Sequence, residues 1–118
     1  MSTALQALAA EASTCTGCRL ATGRTTVVFG SGSPTADLMF VGEGPGARED
    51  EQGVPFVGRS GQLLDRLLAE ELGMDRSDCY IANVVKCRPP GNRDPRPDEI
   101  AACRPYLERQ LDLVDPTV

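Results

Sequence analysis

The chain has 118 residues, a formal net charge of −5, 41% hydrophobic and 4% aromatic residues, and neither Trp nor His. That length suits one small domain over residues 1–118, the acidic balance excludes a broadly basic nucleic-acid surface, and a core without Trp must be largely aliphatic. No stretch is long and apolar enough to span a bilayer and the N-terminus lacks a signal peptide's basic start and apolar core, so the expected location is cytoplasmic, where five cysteines point to ligation more than to bridges.

Residues 2–12 are rich in Ala and Leu, with Leu5 and Leu8 three apart, and predict a short helix. Cys15-Thr-Gly-Cys18 follows at once. A redox C-x-x-C expects a preceding strand; behind a helix, ligation is the better reading. Residues 25–29 are β-branched and aromatic and predict a short strand. Residues 30–34 predict a turn. Leu38-Met-Phe-Val41 is apolar without alternation, the pattern of a strand buried on both faces of a parallel sheet.

Residues 41–61 hold six glycines and two prolines in 21 positions. They predict a long, constrained loop between that strand and a helix, and such loops are more often sites than linkers. Glu43 stands at the strand's carboxyl end, where open α/β sheets place ligands. Gly42-Glu-Gly44-Pro-Gly46-Ala47 fits a dinucleotide fingerprint. The three carboxylates of Glu49, Asp50 and Glu51 and the helix-breaking Pro55 argue against a pyrophosphate there. No Lys-Ser or Lys-Thr closes the loop as a P-loop requires.

Leu63, Leu64, Leu67, Leu68 and Leu72 form one helical stripe and predict core, with Gly73 as the C-terminal stop. Residues 77–85 contain a second buried strand, completing a βαβ unit and bringing Asn83 to the same sheet edge as Glu43. Cys79, beside Tyr80 and Ile81, reads as a small buried hydrophobe. Residues 86–97 form a loop rich in Pro and Arg whose Lys86, Arg88, Arg93 and Arg96 make a local basic patch suited to phosphates. A helix opens at Pro97-Asp98-Glu99 and runs to about Leu111; the tail 112–118 has no pattern.

Cys15, Cys18, Cys87 and Cys103 make a C-x2-C … C-x15-C set. Four thiolates suit tetrahedral zinc or an iron–sulfur cluster. The wide second pair leans toward a cluster, and spacing alone leaves both open.

Together the motifs Gly42-Glu-Gly-Pro-Gly46, Glu49-Asp50, Gly53-Val-Pro-Phe-Val-Gly58, Gly61-Gln-Leu-Leu-Asp65, Asn83-Val-Val-Lys-Cys-Arg-Pro-Pro90 and the four cysteines resemble the family 4, iron–sulfur uracil-DNA glycosylases. The match runs from about Cys15 to Leu111. It implies a three-layer α/β/α sandwich with a parallel central sheet and a structural [4Fe–4S] cluster on Cys15, Cys18, Cys87 and Cys103. It also implies excision of uracil from single- or double-stranded DNA, with the base flipped into a pocket.

By the resemblance, Glu43 positions or activates the attacking water. Gly42 and Gly44 line the approach to the base, Gly44 letting the backbone come close. Phe56 stacks on uracil, Asn83 reads its edge, and Glu49 walls off the space of a thymine methyl. The family also has a C-terminal His-Pro motif whose His hydrogen-bonds uracil O2. This chain has no His and resembles the family's N-terminal portion, so the sandwich is expected to be incomplete at its C-terminus. The competing expectations are a weak or inactive iron–sulfur module that binds uracil or DNA, and a zinc-stapled structural domain.

Overall fold

A computed structural model describes residues 3–118. Its first helix, α1 (Thr3–Ala12), agrees with the predicted one; Ser2 lies outside the described residues. Leu5, Leu8 and Ala12 supply its buried face. A 3₁₀ turn at Arg19–Thr22 follows the C-x-x-C pair and buries Leu20.

The predicted strand at 25–29 is absent. Asp50 binds the N–H groups of Thr25 and Thr26, and Val28 donates a single bond to the Lys86 carbonyl. The ladder forms instead in the predicted turn, as β1 (Ser31–Gly32). Gly32 has φ 117°, and a Cβ there would lie 1.9 Å from the Cys79 carbonyl oxygen. Only glycine permits this approach.

β2 (Met39–Gly42) and β3 (Tyr80–Asn83) pair in parallel, with Gly42 opposite Asn83. The sheet order is β1-β3-β2, and β1 is antiparallel to β3. The fold is therefore α/β, with a small mixed sheet where an all-parallel one was expected. β3 is buried throughout. β2 is an edge strand, and Val41 is 46% exposed. The tail predicted to be patternless joins this edge. Val118 donates to the Asp37 carbonyl, and Met39 donates to the Val118 carbonyl.

The predicted long loop contains a helix of its own, α2 (Ala47–Gln52), which ends at Gly53 in the left-handed conformation. The helix after it, α3 (Arg59–Leu67), starts two residues before the predicted Gly61. It continues as a π turn over Leu68–Leu72 and stops at left-handed Gly73, as predicted. Its leucine stripe is not core: Leu63, Leu67 and Leu72 are exposed, and Leu68 alone of the five is fully buried. A helical period marks which residues share a face but not what covers that face.

α4 (Pro97–Val114) starts at Pro97 and outruns its predicted end by a turn. It packs Leu107 and Val114 with Leu5, Met39 and Tyr80 into one core cluster. Leu20, Val85, Cys87 and Cys103 form a second.

Candidate functional site

The carboxyl ends of β2 and β3 open into a cavity of about 370 Å³. Glu43, Gly44, Glu49, Phe56 and Asn83 all line it. Gly42 is not on the wall but packs against it: a Cβ there would lie 2.5 Å from Asn83 Oδ1 and 2.6 Å from the Phe56 ring. Glycine at 42 is what lets the ring and the amide sit side by side.

Asn83 is 2% exposed. Its side-chain amide makes no hydrogen bond among the described residues, although no fully buried side-chain atom lacks one. The amide therefore meets open space, and that space is the cavity. The Glu43 carboxylate is exposed and also has no partner among the described residues. Its backbone is fixed, because Val85 donates to the Glu43 carbonyl at 3.0 Å.

Glu49 is committed to the loop. Its oxygens accept from the N–H groups of Gly46, Val57 and Gly58 at 2.8–3.0 Å. Burial raises its pKa, but these N–H groups outweigh burial and hold the carboxyl below the ordinary value. One carboxylate thus ties the start of α2 to the start of α3. It also sits where a phosphate would meet the N-terminus of α2, so a helix does open after the glycines and Glu49 blocks the dinucleotide reading.

Phe56 holds φ 55°, a left-handed value rare for a non-glycine residue. Arg76 clamps it from behind, donating to the Phe56 carbonyl at 2.5 Å and the Pro55 carbonyl at 3.2 Å while pairing with Asp65 at 2.7 Å. A Cβ on Gly61 would lie 1.7 Å from the Phe56 carbonyl oxygen, so α3 presses directly on this strained residue.

The predicted basic patch is largely engaged within the chain. Lys86 is 1% exposed, and burial pulls its ammonium down to about 8, so it stays charged at neutral pH. Arg93 makes a two-pronged pair with buried Glu99 at 2.8 Å. That hydrogen-bonded guanidinium pulls the Glu99 carboxyl down to about 2 against the opposing effect of burial. The pair fastens the loop to the first turn of α4.

Cys15, Cys18, Cys87 and Cys103 line one small cavity that contains no carboxylate. Cys79 is buried elsewhere, as predicted. All five thiols are free. Among the described residues no group of three His, Cys, Asp or Glu side chains is set to hold a metal ion, and the free space among the four cysteines is about 20 Å³. The donor set nonetheless suits a thiolate-bound group. Gly17 N–H reaches Cys15 Sγ, Lys86 N–H reaches Cys103 Sγ and the Arg24 guanidinium reaches Cys87 Sγ, each at 3.3 Å. Such donors offset the charge of metal-bound sulfur. Burial pushes the Cys103 thiol up to about 11 and raises that of Cys87 as well.

Residues 29–118 match the family model of the uracil DNA glycosylase superfamily. The chain belongs to that superfamily. Within it the chain falls in family 4. It is 51% identical to the type-4 uracil-DNA glycosylase of Sulfurisphaera tokodaii over 97% of this chain and 52% of the relative. It is 54% identical to that of Thermotoga maritima over 88% of this chain and 54% of the relative. Similarity to a type-5 uracil-DNA glycosylase of Thermus thermophilus is lower, 34% over 74% of this chain and 45% of the relative. The chain spans about half the length of the type-4 relatives it matches.

For this superfamily member, sequence reading missed Arg76, Arg24 and the inward course of Lys86. Arg76 and Arg24 bind carbonyls and sulfur distant in the chain, and composition carries no signal for that. Lys86 had one: it lies between Val85 and Cys87, at the end of an apolar strand.

Proposed function

We propose that the chain is a DNA repair glycosylase that hydrolyses the N-glycosidic bond of a deoxyuridine flipped out of single- or double-stranded DNA. The observation that carries this reading is Asn83, whose amide has no partner among the described residues and faces a cavity with room for a base. An amide presents one donor and one acceptor side by side. Uracil O4 and N3–H match it, and cytosine presents the reverse.

The other residues take roles around that pairing. Phe56 stacks on the ring, and Gly44 lets the backbone approach the base. Glu49 holds the loop that carries both and sits on the wall beside the base, where a thymine methyl would press. Glu43 accepts a proton from the water whose oxygen bonds to C1′, and its charge favours the oxocarbenium-like sugar. The N1–C1′ electron pair leaves on the uracil anion. Four cysteines, Cys15, Cys18, Cys87 and Cys103, would hold a [4Fe–4S] cluster, which when bound supplies a cross-link of the fold. We read residues 1–118 as a single domain acting in the cytoplasm, a compartment where cysteines more often bind metals or clusters than form bridges; among the described residues no helix is long and apolar enough to cross a membrane.

The test is release of uracil from a uracil-containing single strand and duplex. Glu43→Ala should retain binding of the strand and lower release by at least about 10²-fold. Release undiminished in that variant sinks the catalytic assignment, and binding without release in the unmodified protein favours a non-catalytic module.

A further inference from the structure

At Asn83 the sheet runs out on one side. The N–H groups of Val84 and Val85 still bond to the carbonyls of Gly42 and Glu43. On the other side β1 pairs only with Tyr80 and Ile81, so no strand reaches the Asn83 carbonyl. Lys86 takes that place. Its Nζ turns back three residues and donates to the Asn83 carbonyl at 2.6 Å and to Gln110 Oε1 at 2.5 Å, with the Phe29 ring centroid 5.8 Å away. Gln110 is anchored in turn, its Nε2 donating to the Phe29 carbonyl and the Tyr80 hydroxyl. No carboxylate pairs with Lys86 among the described residues. An ammonium buried against neutral oxygens is costly relative to an apolar side chain of the same length, and its hydrogen bonds fix where it points. Its main-chain N–H donates to Cys103 Sγ at 3.3 Å.

We propose that Lys86 is a positioning residue for Asn83: anchored to the four-cysteine centre through its main chain, it holds the Asn83 carbonyl with its ammonium and so sets the aim of the amide in the cavity. This rests on the reading of Asn83 as the group that meets the base edge. The four-cysteine centre and the base cavity are then two ends of one residue.

Lys86→Met, which keeps the stem and removes the donor, tests this on the whole chain. The expected result is a shifted or broadened Asn83 side-chain resonance in the ¹⁵N spectrum and binding of free uracil about tenfold weaker. Uracil release should fall 10- to 100-fold, and the double variant with Asn83→Ala should lose no more than Asn83→Ala alone. An unmoved Asn83 resonance, or losses that simply multiply in the double variant, overturn the proposal. If Lys86→Met does not fold, Gln110→Leu removes the ammonium's second anchor and the same resonance decides. If the unmodified protein neither binds nor releases uracil, the base-reading assignment fails, while the Asn83 resonance still reports whether Lys86 holds it.

Discussion

Asn83 and Leu68 show how one side chain's surroundings decide its role. Asn83 is 2% exposed, and its amide has no partner among the described residues. Asn83→Asp exchanges an N–H donor for an acceptor facing uracil O4, and a site built to pair with a base rejects a mismatched donor set strongly. We expect single-turnover release of uracil to fall at least about 10²-fold. The leucines of α3 divide in the same way. Leu68 is 1% exposed and Leu67, one position earlier, is 46% exposed. Leu68→Ala should lower stability by roughly 2–5 kcal/mol in urea unfolding, and Leu67→Ala should stay within about 0.5 kcal/mol. Equal losses would show that the exposed face of α3 is covered in solution.

Single carboxylates fasten whole elements here. Glu49 joins the starts of α2 and α3 through three N–H groups, and Glu99 joins the 86–97 loop to α4 through Arg93 and the Arg96 N–H. Both carboxyls titrate lower in the folded chain than in an unfolded one, Glu99 at about 2 against an ordinary 4.5. Their contribution to stability is therefore present above about pH 4.5 and is lost as pH falls toward 2. The urea midpoint should fall across that window. Glu99→Gln should be less stable at pH 7 and show a shallower acid decline. A variant whose decline parallels that of the unmodified protein would remove Glu99 as a cause.

At the scale of the molecule, two centres hang on one small sheet. One cavity opens at the carboxyl ends of β2 and β3, and four cysteines from the segment after α1, the end of the β3 region and α4 line another. In the proposed holoprotein, chelation of iron should abolish broad absorbance near 400 nm. Stability should drop together with it, because the cross-link spans the chain. Cys103→Ser should do the same and lower the unfolding midpoint by on the order of 5–10 °C. A midpoint that ignores both treatments would show that the centre is not structural.

What the order of residues determined by itself is the inventory of chemistry. Glu43 and Asn83 were legible at one sheet edge, because both stand at the carboxyl ends of neighbouring parallel strands; Gly44, Glu49 and Phe56 joined them only through the family resemblance, and all five line one cavity. The spacing of the C-x-x-C pair and its two distant partners suggested one ligand set, and the four line one small cavity. Tertiary structure alone decided which groups are free to act. Lys86 and Arg93 read as surface cations, yet one is buried against a carbonyl and the other bound to Glu99. The leucine stripe read as core, yet it lies mostly exposed. The predicted strand 25–29 gives the N–H groups of Thr25 and Thr26 to Asp50, and Ser31–Gly32 took the ladder. Periodicity and composition report a residue's own preference; burial, pairing and charge neutralisation depend on partners that meet only when the chain folds.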